Sequence, residues 1–135
     1  MKKIEHIGIA VKNLEKSNIL FSKLFNAEPY KMEEVASEYV KTAFFRAGPN
    51  KIELLEPTNE KSAIHSFLEK KGEGFHHIAF AVENIEEEME RLKAEGFKPL
   101  MDTPKKGADN KLVCFFHPKS TGGMLIELCQ EIDTK

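Results

Sequence analysis

The chain has 135 residues, 41% hydrophobic and 31% charged, with a formal net charge of −2. That balance suits one globular domain able to bury roughly two-thirds of its unfolded surface without disulfides. Scattered basic residues exclude nucleic acid or an anionic membrane as a partner held by bulk electrostatics, and no apolar run is long enough for a signal core or a membrane span.

Residues 4–11, IEHIGIAV, are rich in β-branched residues and end at Lys12-Asn13, which predicts a strand. Asn13 caps a helix expected over about 14–26, with Leu14, Leu20, Phe21, Leu24 and Phe25 as its apolar stripe. Strands follow near 30–35, 38–47 and 50–56, with Gly48-Pro49-Asn50 as a turn. Residues 60–71 read as a short helix burying Ile64, Phe67 and Leu68, and Lys70-Lys71-Gly72-Glu73-Gly74 as a polar hinge. Past a strand around His77–Val82, Asn84 caps a second helix, Glu87 completes a capping box and Gly96 stops it. Its stripe is Ile85, Met89 and Leu92. Strands near 97–101, 111–117 and 123–130 complete the series, the last two joined by a turn with Pro118 and Gly122-Gly123. Cys114 and Cys129 lie in largely apolar runs and form no C-x-x-C pair, so they read as buried reduced thiols of a cytoplasmic protein.

These elements repeat. Residues 6–15, HIGIAVKNLE, recur as 77–86, HIAFAVENIE, at an offset of 77 − 6 = 71, and Phe44-Phe45 recurs as Phe115-Phe116. Ile52-Glu53-Leu54 recurs as Ile126-Glu127-Leu128 at 127 − 53 = 74, the three extra residues going to a longer turn at His117–Gly123. The expected fold is α+β: two βαβββ repeats forming a cupped, partly open mixed sheet with helices on its outer face. We expect one domain over 1–135, with repeat 1 about 1–59, a linking helix about 60–71, and repeat 2 about 72–135.

Side chains alternate faces along a strand. Ile7, Ile9 and Val11 share one face, and His6, Gly8 and Ala10 the other; His77, Ala79 and Ala81 match the second set. One histidine followed by small residues makes a poor apolar core and a good cavity floor. Glu53 and Glu127 each interrupt an apolar run, where an unpaired carboxylate would be costly to bury. A single strand histidine or glutamate reads as structural or solvent-facing. Both types repeated at matched positions point to one divalent metal per chain held by His6, Glu53, His77 and Glu127. Imidazole and carboxylate donors suit Co²⁺, Ni²⁺, Mn²⁺, Zn²⁺ or Mg²⁺. His76 faces away from His77 and reads as structural, and His65 as a surface residue. His117 either lines the cavity mouth or packs its loop.

The segments IEHIGIAVKNLE, VKTAFFRAGPNKIELLEPT, KGEGFHHIAFAVENI and FFHPKSTGGMLIELCQ resemble, in order and over nearly the whole chain, the vicinal oxygen chelate (glyoxalase/bleomycin resistance) superfamily. Within it they resemble the methylmalonyl-CoA epimerase family. The resemblance implies the glyoxalase fold, a homodimer, an acyl-CoA substrate, and metal ligands at His6, Glu53, His77 and Glu127. Some family members have glutamine at the position of Glu53. Some place a proposed catalytic glutamate two residues after the valine matching Val40, where this chain has Thr42.

The activity so implied interconverts (2R)- and (2S)-methylmalonyl-CoA by removing and returning the C2 proton through a metal-stabilised enolate. Epimerisation needs proton-transfer groups on opposite sides of the substrate. Glu127 is the first expected, and Glu53, its pseudo-symmetric counterpart, the second, since Thr42 cannot act as a carboxylate base; a water on the metal is the alternative proton carrier. Lys119 and Ser120, with His117, are candidate substrate contacts, as are Lys105-Lys106. Two alternatives stand beside this: a glyoxalase I (lactoylglutathione lyase)-type isomerase, and a metal-free binding module of the same fold.

Overall fold

Alternating apolar residues and Asx caps resolve, in the computed structural model, into eight strands and three α-helices; the structure describes residues 1–132. The chain divides into two compact units, one of His6–His76 and one of Met1–Glu5 with the chain from His77.

In the unit His6–His76, β1 (Lys3–Ala10) runs parallel to β4 (Asn50–Pro57). Antiparallel pairing then adds β3 (Val40–Ala47) and β2 (Lys31–Val35). The helix α1 (Leu14–Phe25) starts where Asn13 Oδ1 accepts from the Lys16 amide. It stops at Asn26, whose left-handed φ of 54° ends the helix one residue before the expected boundary. Ile9, Val11, Phe45 and Leu54 pack against Leu14, Phe21 and Phe25 of α1. Leu20 and Leu24, expected in that stripe, are exposed at 63% and 69%. They sit roughly 120° and 80° around the helix from the Leu14–Phe21–Phe25 line, so the buried stripe is narrower than their hydrophobicity suggested.

The linking helix α2 (Ala63–Lys71) begins at Ser62, whose Oγ accepts from the Ile64 amide. It packs on the face opposite α1: Ile64, Phe67 and Leu68 lie over Ala10, Val40 and Leu55. The expected hinge is smaller than drawn. Lys70 and Lys71 belong to the last turn of α2 and Gly74 opens the next strand, leaving Gly72, at φ 77°, and Glu73 as the link.

The second unit repeats the plan. β5 (Gly74–Ala81) runs parallel to β8 (Ile126–Glu131), which pairs antiparallel with β7 (Lys111–Phe116), which pairs with β6 (Lys105–Lys106). The helix α3 (Ile85–Ala94) buries Ile85, Met89 and Leu92 against Cys114, Phe116 and Leu128, and Asn84 Oδ1 accepts from the Glu87 amide. A second cap is also duplicated. The Leu14 amide donates to Glu56 Oε1 at 2.7 Å, and the Ile85 amide to Gln130 Oε1 at 2.8 Å, each acceptor lying three residues beyond the repeated glutamate.

The strand expected at 97–101 does not form. Pro99 makes one isolated bridge to Phe116, and pairing resumes only at Lys105 with Val113. The edge advances six residues, 99 to 105, while β7 advances three, 116 to 113, so three residues loop out. Pro99 offers no amide to a ladder, and Phe97 and Met101 are apolar because they pack on the α3 core. The strand expected at 123–130 starts only at Ile126, because Thr121 Oγ1 donates to the Met124 carbonyl and holds the preceding turn.

Candidate metal centre

Each unit builds a buried histidine–glutamate pair by the same register. In the parallel β1–β4 pairing Gly8 stands beside Glu53, and in β5–β8 Ala79 stands beside Glu127. With almost no side chain on that neighbour, the glutamate can lean along the sheet to the histidine two residues earlier on the same face. His6 Nε2 lies 3.2 Å from Glu53 Oε1, and His77 Nε2 lies 3.0 Å from Glu127 Oε1. This register is the physical reason for the small residues that follow each histidine. All four side chains are buried, at 4–7% exposure.

The other flank of each glutamate is a phenylalanine, Phe44 beside Glu53 and Phe115 beside Glu127. Each histidine meets that ring edge-on, His6–Phe44 at 6.3 Å and His77–Phe115 at 5.7 Å. The repeated Phe-Phe dipeptide therefore has divided work: Phe45 and Phe116 fill the helix-side cores, while Phe44 and Phe115 wall the pairs. The sequence carried that signal in the duplicated dipeptide, but it did not say which ring served which face.

The pairs fit a divalent cation on their chemistry. An imidazole nitrogen and a carboxylate oxygen 3.0–3.2 Å apart are at hydrogen-bond distance. The same separation is about that of neighbouring ligands around an ion with roughly 2.1 Å bonds at right angles. A carboxylate this buried is costly without a compensating charge.

The remaining expected residues are placed as follows. Thr42 is buried on β3 beside Leu55, and its hydroxyl donates to the Glu33 carbonyl at 3.4 Å. His117 Nδ1 accepts from the Lys119 amide at 3.1 Å, so that ring caps its own turn. Ser120 Oγ donates to the His117 carbonyl and accepts from the Lys98 amide, which ties it into the loop; Lys119 is exposed. His76 stacks edge-on with Phe67 of α2 at 5.0 Å, and His65 lies 3.5 Å from Glu69 one helical turn on, both in line with the structural and surface roles expected of them. Sequence reasoning missed Cys129, whose thiol touches Glu127. It also missed a cavity of about 510 Å³ in the second unit, lined by residues including Lys2, Lys3, Ala81, Lys111, Cys129 and Glu131.

A model of the glyoxalase/bleomycin resistance protein/dioxygenase superfamily matches residues 5–115. The chain belongs to that superfamily. Among its relatives in the superfamily, the ethylmalonyl-CoA/methylmalonyl-CoA epimerase of Cereibacter sphaeroides is 38% identical over 130 residues, covering 95% of this chain and 97% of that protein. The mitochondrial methylmalonyl-CoA epimerase of Dictyostelium discoideum is 39% identical over 127 residues, covering 93% of this chain and 76% of that protein. A solved structure of a Streptomyces coelicolor methylmalonyl-CoA epimerase variant in complex with 2-nitronate-propionyl-CoA aligns with a TM-score of 0.94 at 31% identity, covering 98% of this chain and 99% of that one. The α+β fold of two βαβββ repeats is thus the superfamily's own. Superfamily membership and the donor set together support a divalent metal. Among the described residues, no helix is long and apolar enough to cross a membrane.

Proposed function

We propose that this chain is a metal-dependent epimerase that interconverts (2R)- and (2S)-methylmalonyl-CoA. The observation that carries the reading is a buried histidine–glutamate pair in each unit of a chain whose relatives, over nearly its whole length, include methylmalonyl-CoA epimerases. His6, Glu53, His77 and Glu127 hold one divalent ion, with Co²⁺, Ni²⁺, Mn²⁺, Zn²⁺ and Mg²⁺ all suited to such donors. When bound, the ion supplies Lewis acidity to the carbonyl groups flanking the acidic C–H.

Glu127 takes the C2 proton from one side and Glu53 returns one from the other, which is what inversion requires. Phe44 and Phe115, beside these carboxylates, keep bulk water off them. Thr42 contributes a hydroxyl to the wall and no base. Of the three loop residues, His117 and Ser120 hold the turn's shape and Lys119 is left to meet a CoA phosphate. Residues 1–135 work as a single domain, the protein is a homodimer, and the two buried free thiols support a cytoplasmic setting.

The test is deuterium uptake at C2 of methylmalonyl-CoA in D₂O, comparing metal-stripped protein with protein resupplied with Co²⁺. Metal-dependent exchange well above the rate without protein is expected. No exchange despite tight metal binding would sink this substrate, and turnover of a glutathione hemithioacetal would then move the chain to the glyoxalase I reading.

A further inference from the structure

Cys129 stands two residues beyond Glu127 on β8, on the same face, 2% exposed among Ala79, Val113 and Phe115. Its thiol donates to Glu127 Oε2 at 3.2 Å, while the other carboxylate oxygen, Oε1, lies 3.0 Å from His77 Nε2. Each oxygen of Glu127 therefore has its own neighbour. We infer that Cys129 is a positioning residue for Glu127: by holding Oε2 it fixes the carboxylate rotation and keeps Oε1 turned toward His77. The inference rests on the metal-site reading above.

The matched position in the other repeat shows that packing does not require a thiol. At 129 − 74 = 55 stands Leu55, which lies beneath Ile64 of α2 and donates nothing to Glu53. An apolar residue satisfies the fold there. At position 129 the packed neighbours Ala79, Val113 and Phe115 are apolar too, so valine would keep that packing, and what it would remove is the donor. Groups that orient a metal ligand through its second atom typically change metal affinity or activity about 10- to 100-fold when lost.

Two substitutions separate positioning from packing. Cys129→Val removes the donor and suits a buried strand site, whereas Cys129→Ser keeps a donor at the cost of a hydroxyl packed against Ala79, Val113 and Phe115. Co²⁺ affinity is measured on the full-length protein by competition with a chromogenic chelator, and thermal midpoints are measured on the metal-free forms. Cys129→Val should bind Co²⁺ about tenfold more weakly or worse, with an unchanged or higher midpoint. Cys129→Ser should stay within about threefold of wild type in affinity, with a lower midpoint. The variants then rank in opposite orders in the two assays. Wild-type Co²⁺ affinity in Cys129→Val, or equal weakening in both variants, overturns the positioning role while leaving the metal site standing. A wild-type protein that takes up no Co²⁺ overturns the metal site itself and this role with it.

Discussion

Replacing Glu127 by glutamine should separate what the carboxylate does for a metal from what it does for the fold. Glu127 is 5% exposed, with Oε1 facing His77 and Oε2 accepting from Cys129. In Glu127→Gln the single amide oxygen can accept from only one of them, which loses about 1 kcal/mol of neutral hydrogen bonding. The desolvation of a carboxylate disappears at the same time. The metal-free variant should therefore melt within about 4 °C of metal-free wild type, taking roughly 4 °C per kcal/mol for a chain of this size. Metal changes the comparison. At a hundredfold excess over Kd, a ligand bound only by the folded state adds about 2.7 kcal/mol, or about 11 °C. If the lost anionic donor weakens binding about a hundredfold, the same metal concentration adds only about 0.4 kcal/mol, or about 2 °C. Thermal melts in chelator and in Co²⁺, on both proteins, give the four midpoints. An equal Co²⁺-induced rise in wild type and Glu127→Gln would refute Glu127 as a ligand, whatever the activity of the variant.

Two further outcomes follow from the same geometry. Burial pushes the Cys114 thiol up to about 11, so it keeps its proton at and above neutral pH, and Cys129 is shielded sterically at 2% exposure. Neither cysteine should react with a thiol-specific chromogenic disulfide in the native protein at pH 8, and both should react in guanidinium; rapid native labelling would contradict the packing. Lys119→Ala should raise KM for methylmalonyl-CoA about two- to fivefold with kcat unchanged, the size of one exposed ionic contact. A fall in kcat with KM unchanged would place Lys119 elsewhere than on the CoA.

Duplication makes the pairing partners legible in the amino-acid sequence. His6 and His77, Glu53 and Glu127, and the small residues after each histidine sit at one offset per element because strand alternation is a local rule. Asn13 and Asn84 are readable as caps for the same reason. What stays hidden depends on tertiary neighbours. Phe97 and Met101 look like strand residues, but their hydrophobicity serves the α3 core while Pro99 breaks the ladder. Leu20 and Leu24 satisfy helical periodicity without being buried. Cys129 is visibly on the face of Glu127, yet alternation alone cannot say that a thiol aims at a carboxylate oxygen rather than at its apolar neighbours.

The seat beneath α2 has a longer consequence. Ala10, Val40 and Leu55 form it in one repeat. Their counterparts, Ala81, Lys111 and Cys129, lie instead on the cavity of about 510 Å³ in the other. Two tandem copies need only one joint. That joint, folded as a helix, settles onto the copy that precedes it, and among the described residues no second helix exists to do the same for the copy that follows. A joined pair is therefore lopsided from its first generation, before any point mutation distinguishes its halves. Later substitutions at matched positions, a leucine in one copy and a cysteine in the other, have had unequal surroundings to adapt to ever since.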